Sequence, residues 1–144
     1  GEEGIYIGNN VHIAAGAILN GTGGRITMSD FSGVAPYVCL WTSSELYSQA
    51  TLTNPTVSPE FRKQHKGPIY LGRHVSIGTS SVILPGVHLA DGAAVGALSL
   101  VHRDVGRAEV VMGIPARCVA IRPLDQLEEL AREYLKSIGE LPSA

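Results

Sequence analysis

Histidine moves protons near neutral pH most readily, and this 144-residue chain has five of them, at positions 12, 65, 74, 88 and 102. His65 lies in a basic cluster, Arg62-Lys-Gln-His-Lys66, and His74 follows Leu71 by three positions. No two histidines are closer than nine positions, so the tight pair that histidine zinc sites use is missing and no metal is expected. Cys39 and Cys118 are too few for a disulfide framework and are expected to be buried thiols of a reducing compartment. With 11 basic and 13 acidic residues there is no basic stripe, which argues against nucleic acid as a partner. The longest uncharged apolar run, 92 to 101, is half the length of a membrane span. No span or secretion signal is visible, and a cytoplasmic location is expected.

These groups are carried by a repeat. Leu71, Ile77, Ile83, Leu89, Val95 and Val101 recur every sixth position, Ile7, Ile13 and Leu19 form an earlier run, and Met28, Val34 and Leu40 form another. Two positions before them stand Ile5, Val11, Ile26, Val38, Ile69, Val75 and Val87, or small residues at 17, 32, 81, 93 and 99. A period of six fits neither a helix nor a plain strand; it predicts a β-helix of short strands with two inward side chains each. Three units close a triangular coil of eighteen residues, giving about four coils at 7–24, 28–45, 71–88 and 89–106. Gly8, Gly72, Gly78, Gly86, Gly92 and Gly96 are expected at the corners, where Asn9, Asn10 and Asp91 tolerate similar backbone conformations.

Two segments break the repeat. Residues 41–68 leave the coil as a long loop whose Pro, Ser and Thr content argues against regular structure, and a loop held on a stiff scaffold is usually functional. After Pro123, the residues Leu124, Leu127, Leu130, Ala131, Tyr134 and Ile138 follow helical spacing up to Gly139. The expected division is therefore a β-helix domain over 1–122 and a helix and tail over 123–144, the helix covering an end or flank of the prism.

Four segments occur in a distinctive order: Ile69-Tyr-Leu-Gly-Arg-His-Val-Ser-Ile-Gly78, Val82-Ile-Leu-Pro-Gly-Val87, Val95-Gly-Ala-Leu-Ser-Leu-Val101 and Val111-Met-Gly-Ile-Pro-Ala-Arg117. In these the chain, from about 5 to 121, resembles the hexapeptide-repeat acyltransferases, among them the galactoside, maltose and polysaccharide O-acetyltransferases. The resemblance implies an all-β, left-handed parallel β-helix, a homotrimer, and acetyl-CoA in the groove between neighbouring subunits. It also implies acetyl transfer to a hydroxyl or amine of a sugar or nucleotide-linked sugar, in surface polysaccharide or lipopolysaccharide biosynthesis. The alternative is a non-catalytic trimer scaffold; a γ-type carbonic anhydrase, which shares the prism, lacks its histidine pair here.

Pantetheine is a chain of amides, and corners with little side-chain cover suit it. Gly78, Ser80, Ala97 and Ser99 are the expected cofactor positions, although a narrow coil also demands small residues there. Pro115 and Arg117 follow the last coil, where the family places the nucleotide end of CoA, and the Arg117 fork could pair with a phosphate. Lys66, Arg73 and Arg103 are further phosphate candidates.

Galactoside-type members carry a histidine base at the start of the extruded loop; alignment through Leu40 places Glu45 there. Three mechanisms stay open. Glu45 is the base, its pKa raised by burial near Trp41, Leu46 and Tyr47. Alternatively a histidine serves, either His74 beside the base of the loop or His65 swinging over the site. Or the acceptor is an amine and needs no strong base, placement of the reactants doing most of the work. Asp30, Trp41 and Tyr47, with Asn20 and Asn54, are the expected acceptor contacts.

Overall fold

In a computed structural model that describes residues 4–141, the period of six becomes three sheets visited in rotation. Strands β1 (Ile5–Ile7), β2 (His12–Ile13) and β3 (Ile18–Asn20) occupy three successive sides, and β4 (Ile26–Met28), β5 (Gly33–Val34) and β6 (Cys39–Trp41) stack on them in parallel. The loop follows, with β7 (Ser43–Glu45), a 3-10 turn at Pro59–Phe61, and β8 (Gln64–Lys66). The rotation resumes with β9 (Ile69–Leu71), β10 (Ser76–Ile77) and β11 (Val82–Ile83), then β12 (His88–Leu89), β13 (Ala94–Val95) and β14 (Leu100–Val101). Register follows the repeat, Leu71 pairing with Leu89, Ile77 with Val95 and Ile83 with Val101. β15 (Glu109–Gly113) adds to the β13 edge in parallel, and β16 (Ala116–Ile121) folds back on β15 antiparallel.

The inward positions named from the sequence form the core. Ile26, Met28, Val34, Val38, Leu40, Ile69, Leu71, Val75, Ile77, Ile83 and Leu89 are fully or almost fully buried, and full burial of such a side chain stabilises by about 1.5–3 kcal/mol. Ser32, Ser81, Ala93 and Ser99 are buried beside them, as a narrow prism requires. Ile5, Ile7 and Ile13 differ: they are exposed, because β1, β2 and β3 lie at the edges of their sheets among the described residues.

Corner chemistry departs from expectation. Asn10 has the positive φ its type allows, but residues 31, 74 and 108 recur at its corner with positive φ, and 37, 80 and 98 at another, and all of these are non-glycine. Of the six expected corner glycines only Gly86 and Gly92 have positive φ. Close approach of stacked coils explains another, Gly72: a Cβ there would come within 2.7 Å of the Asp91 backbone nitrogen. Aspartates lace the same corners, with Asp30 Oδ1 accepting from Asn9 N–H at 2.7 Å and Asp91 Oδ1 from Arg73 N–H at 2.8 Å.

Helix α1 (Leu124–Ser137) lies along the corner that holds Phe31, His74 and Gly92, and Gly139, φ 78°, follows its end. Only Leu124 and Ala131 are buried; Leu130, Tyr134 and Ile138, expected on the packed face, are exposed because a narrow corner covers less of a helix than a flat sheet would. Cys118 is likewise exposed rather than buried, since β16 is an edge strand, while Cys39 is half-buried.

Candidate functional site

The loop leaves the prism through an ordered ribbon instead of the irregular stretch that its composition suggests. β7 and β8 pair antiparallel, with Ser43 opposite Lys66, Ser44 opposite His65 and Glu45 opposite Gln64. Successive side chains of a strand point to opposite faces, so Glu45 and Gln64 share one face and His65 takes the other. Arg62, extended at φ −120° and two residues before Gln64, also reaches Glu45. Its Nη2 donates to Glu45 Oε1 at 2.7 Å, and Gln64 Nε2 donates to the same oxygen at 2.9 Å.

These contacts decide the protonation of Glu45. The Arg62 hydrogen bond first, and the Gln64 bond second, hold its carboxyl below the usual carboxylate range, against a smaller opposing effect of burial. The expected upward shift is therefore reversed: Trp41 and Tyr47 are near, but a guanidinium is nearer. Glu45 and Arg62 are 18% and 17% exposed, and Glu45 Oε2 is buried with no hydrogen-bond partner. Glu45 borders a cleft of about 380 Å³ whose other walls are Trp41, Ser43, Ser44, Tyr47, Gln64, Val82 and Leu84. Trp41, Glu45 and Tyr47, three of the residues singled out in the sequence, are thus brought together; Tyr47 is 83% exposed.

The two histidine candidates lie elsewhere. His65 is exposed on the far face of the ribbon. His74 is only 9% exposed, stacked on Phe31 with ring centroids 5.2 Å apart, and its Nε2 lies 3.1 Å from Glu128 Oε1 without the alignment of a hydrogen bond. It borders a separate cleft of about 480 Å³ with His12, Phe31, Ser76 and Arg122, and that cleft shares no wall residue with the one at Glu45. Helix α1 covers the His74 side chain at its corner. Burial works against ionisation of Glu128, yet the hydrogen bonds from Arg73 and the contact with His74 outweigh it and hold that carboxyl below its usual range. Arg73 also lies 3.7 Å from Asp30 and 4.9 Å from the Phe31 ring centroid, so it is committed to this cluster and not free for a phosphate.

Other expected acceptor contacts are local structure. Asp30 laces a corner, Asn20 Oδ1 accepts from Thr22, and Asn54 Oδ1 accepts from Thr56, the last two being turns that close on their own backbone. The corner at Ser80 fits the cofactor reading better. Thr79, Ser80, Ala97 and Leu98 are exposed in a column, with Gly78 beside them. Ser99 is not part of that surface: it is 2% exposed, and its hydroxyl accepts from Gly113 N–H at 3.1 Å. Pro115 and Arg117 are exposed on the turn and strand beyond, where Arg117 Nη1 donates to Ala116 O at 3.0 Å and leaves most of its fork open. Among the described residues no group of three His, Cys, Asp or Glu side chains could hold a metal, and no helix is long and apolar enough to cross a membrane.

Arg62 and Gln64 are what sequence reasoning missed as partners of Glu45. Their spacing of two places both on one face of an extended strand, but only the pairing register of the ribbon shows that this is the face of Glu45.

No family model matches the chain. Among curated proteins it is similar to a dTDP-4-amino-4,6-dideoxy-D-glucose acyltransferase of Escherichia coli, 40% identical over 128 residues, covering 89% of this chain and 66% of that one. It is also similar to the galactoside O-acetyltransferase of Escherichia coli strain K12, 31% identical over 120 residues, covering 78% and 54%. The chain thus spans about half to two thirds of the length of these two curated relatives. Among solved structures it is similar to a single-residue variant of AntD, an N-acyltransferase from Bacillus cereus, in complex with dTDP-4-amino-4,6-dideoxyglucose and coenzyme A. That match has TM-score 0.87 and 33% identity, and covers 92% of this chain and 71% of that one.

Proposed function

Because the chain belongs to the hexapeptide-repeat acyltransferases, we propose that it transfers acetyl from acetyl-CoA to the amine of a nucleotide-linked 4-amino sugar. The product would serve surface polysaccharide assembly, and the reaction would run in the cytoplasm. In this reading the prism is left-handed, with four eighteen-residue coils, and associates as a homotrimer whose subunit grooves hold the cofactor. Gly78, Ser80 and Ala97 line the pantetheine, while Pro115 and Arg117 meet the nucleotide end.

One observation carries the amine over the hydroxyl: the carboxylate at the loop is held in its ionised form by Arg62. A general base for a sugar hydroxyl works best with its pKa near the operating pH, and Glu45 is displaced the other way. An amine requires less. Once it has given up its ammonium proton to solvent, its lone pair attacks the thioester carbon; the C–N bond forms, the C–S bond breaks, and the amine's second proton ends on the CoA sulfur. Glu45 then orients the nucleophile as an anionic hydrogen-bond acceptor, Trp41 and Tyr47 flank the sugar, and proximity supplies most of the acceleration. Backbone N–H groups would stabilise the tetrahedral oxyanion.

The test is thiol release and product mass with acetyl-CoA and either dTDP-4-amino-4,6-dideoxyglucose or its 4-hydroxyl counterpart. An N-acetylated product from the amine alone is expected. Esterification of the hydroxyl compound would reverse the choice of acceptor, and no turnover together with no CoA binding would favour a scaffold.

A further inference from the structure

We propose that Arg62 is a positioning residue for acceptor binding: with Gln64 it holds Oε1 of Glu45 and so fixes an anionic carboxylate in the wall of the cleft, where it meets an N–H group of the incoming amine. The inference rests on the acyl-transfer reading above and adds to it a residue that touches neither reactant.

The geometry is asymmetric. Arg62 Nη2 and Gln64 Nε2 both donate to Oε1, at 2.7 and 2.9 Å, while Oε2 is buried and receives nothing. Arginine and carboxylate commonly meet fork to fork with two parallel bonds. Here the fork is not completed, and Arg62 Nε is also buried without a partner. An ionised oxygen left without a donor is costly, and such groups in native structures call for an explanation. The negative charge of Glu45 is therefore only partly compensated beside the cleft it borders, and a cationic or N–H-bearing ligand there suits it. Glu45 and Gln64 are walls of that cleft and Arg62 is not, so the guanidinium acts on the acceptor through the carboxylate. The ribbon fixes the arrangement, because Glu45 and Gln64 are directly opposed across β7 and β8, and Arg62 is two residues back on the same face.

Arg62→Met, Arg62→Lys and the parent chain are compared by steady-state kinetics with acetyl-CoA and dTDP-4-amino-4,6-dideoxyglucose across pH. For Arg62→Met, KM for the amino sugar should rise about tenfold or more, the scale of one lost charge-assisted hydrogen bond, with KM for acetyl-CoA unchanged. Below the limb set by the acceptor ammonium, the steeper acidic limb of kcat/KM that marks protonation of Glu45 should move to higher pH, since removing the guanidinium lets the carboxyl return toward its ordinary range. Arg62→Lys, which keeps the charge on a single donor, should recover part of both effects. If the parent turns over and Arg62→Met keeps its acceptor KM and its acidic limb, Arg62 does not position Glu45. Equal loss for both substrates, with no movement of the limb, would make Arg62 merely structural and also overturn the proposal. Failure of the parent to turn over would instead refute the acyl-transfer reading, so the two failures are distinguishable.

Discussion

Replacing Glu128 by glutamine isolates the electrostatic part of how α1 is docked. Arg73 Nε donates to both oxygens of Glu128, at 3.0 and 3.1 Å, and His74 Nε2 lies 3.1 Å from Oε1. A hydrogen bond to a charged group contributes about 1.5–3 kcal/mol, but Glu128 and Arg73 are each 31% exposed, so screening reduces the expected loss to about 1 kcal/mol. For a chain of this length that lowers Tm by about 3 °C. The pH dependence is the sharper readout. The Glu128 carboxyl sits below its ordinary value in the folded state, so its contribution is complete above the unfolded pKa and is lost as pH falls through the folded one. Thermal unfolding followed by circular dichroism at pH 7 should therefore separate the two proteins, and the gap should close at a pH well below the ordinary carboxylate range. A gap of equal size at both pH values would show that Glu128 holds the helix by packing alone and refute the electrostatic reasoning.

Further consequences follow from the same geometry. Glu45→Gln should raise KM for the amino sugar, measured by thiol release, while the calorimetric affinity for CoA stays the same. Arg117→Ala should weaken CoA binding about three- to tenfold by calorimetry if its open fork meets a phosphate. Thr42 is fully buried, its hydroxyl donates to Asn20 O at 2.6 Å and accepts from Gly23 N–H at 2.9 Å; Thr42→Val should cost about 1–3 kcal/mol in denaturant titration by leaving Gly23 N–H unpaired, while Asn20 O keeps the Thr42 backbone N–H at 3.1 Å. His74→Ala should cost about 1–2 kcal/mol of stability through lost packing on Phe31, and should leave the acceptor KM unchanged.

The prism was legible because its signal is periodic and its cause is local to each strand. An inward aliphatic every sixth residue can be satisfied in few ways, and Leu40, Ile77, Ile83 and Leu89 are buried as that period requires. Corners were less legible. Positive φ was expected of glycine, yet Phe31, Tyr37, His74, Ser80 and Leu98 adopt it, because the backbone N–H of each is tied to the preceding coil and over-determines the turn. His74 N–H, for example, donates to Asp30 O at 3.2 Å, and Ser80 N–H to Pro36 O at 3.0 Å.

At the site, position was easier to read than chemistry. Trp41, Glu45 and Tyr47 could be placed at one cleft because all three follow the exit from the coil by a few residues. The direction of the Glu45 shift could not, since it depends on Arg62, seventeen positions away and adjacent only through the β7–β8 register. The burial of His74 was not legible for a similar reason: it comes from a helix fifty residues later, whose Glu128 meets it across the corner.

The central claim, that a carboxylate kept ionised at the loop receives an amine, is tested most directly by a crystal structure of the protein with CoA and the amino-sugar acceptor bound. The account predicts the amine nitrogen within about 2.7–3.2 Å of the Glu45 carboxylate, with the CoA sulfur close to it and Arg62 still on Oε1. An acceptor amine seated at His74, or Glu45 turned to spend both oxygens on Arg62, would contradict it.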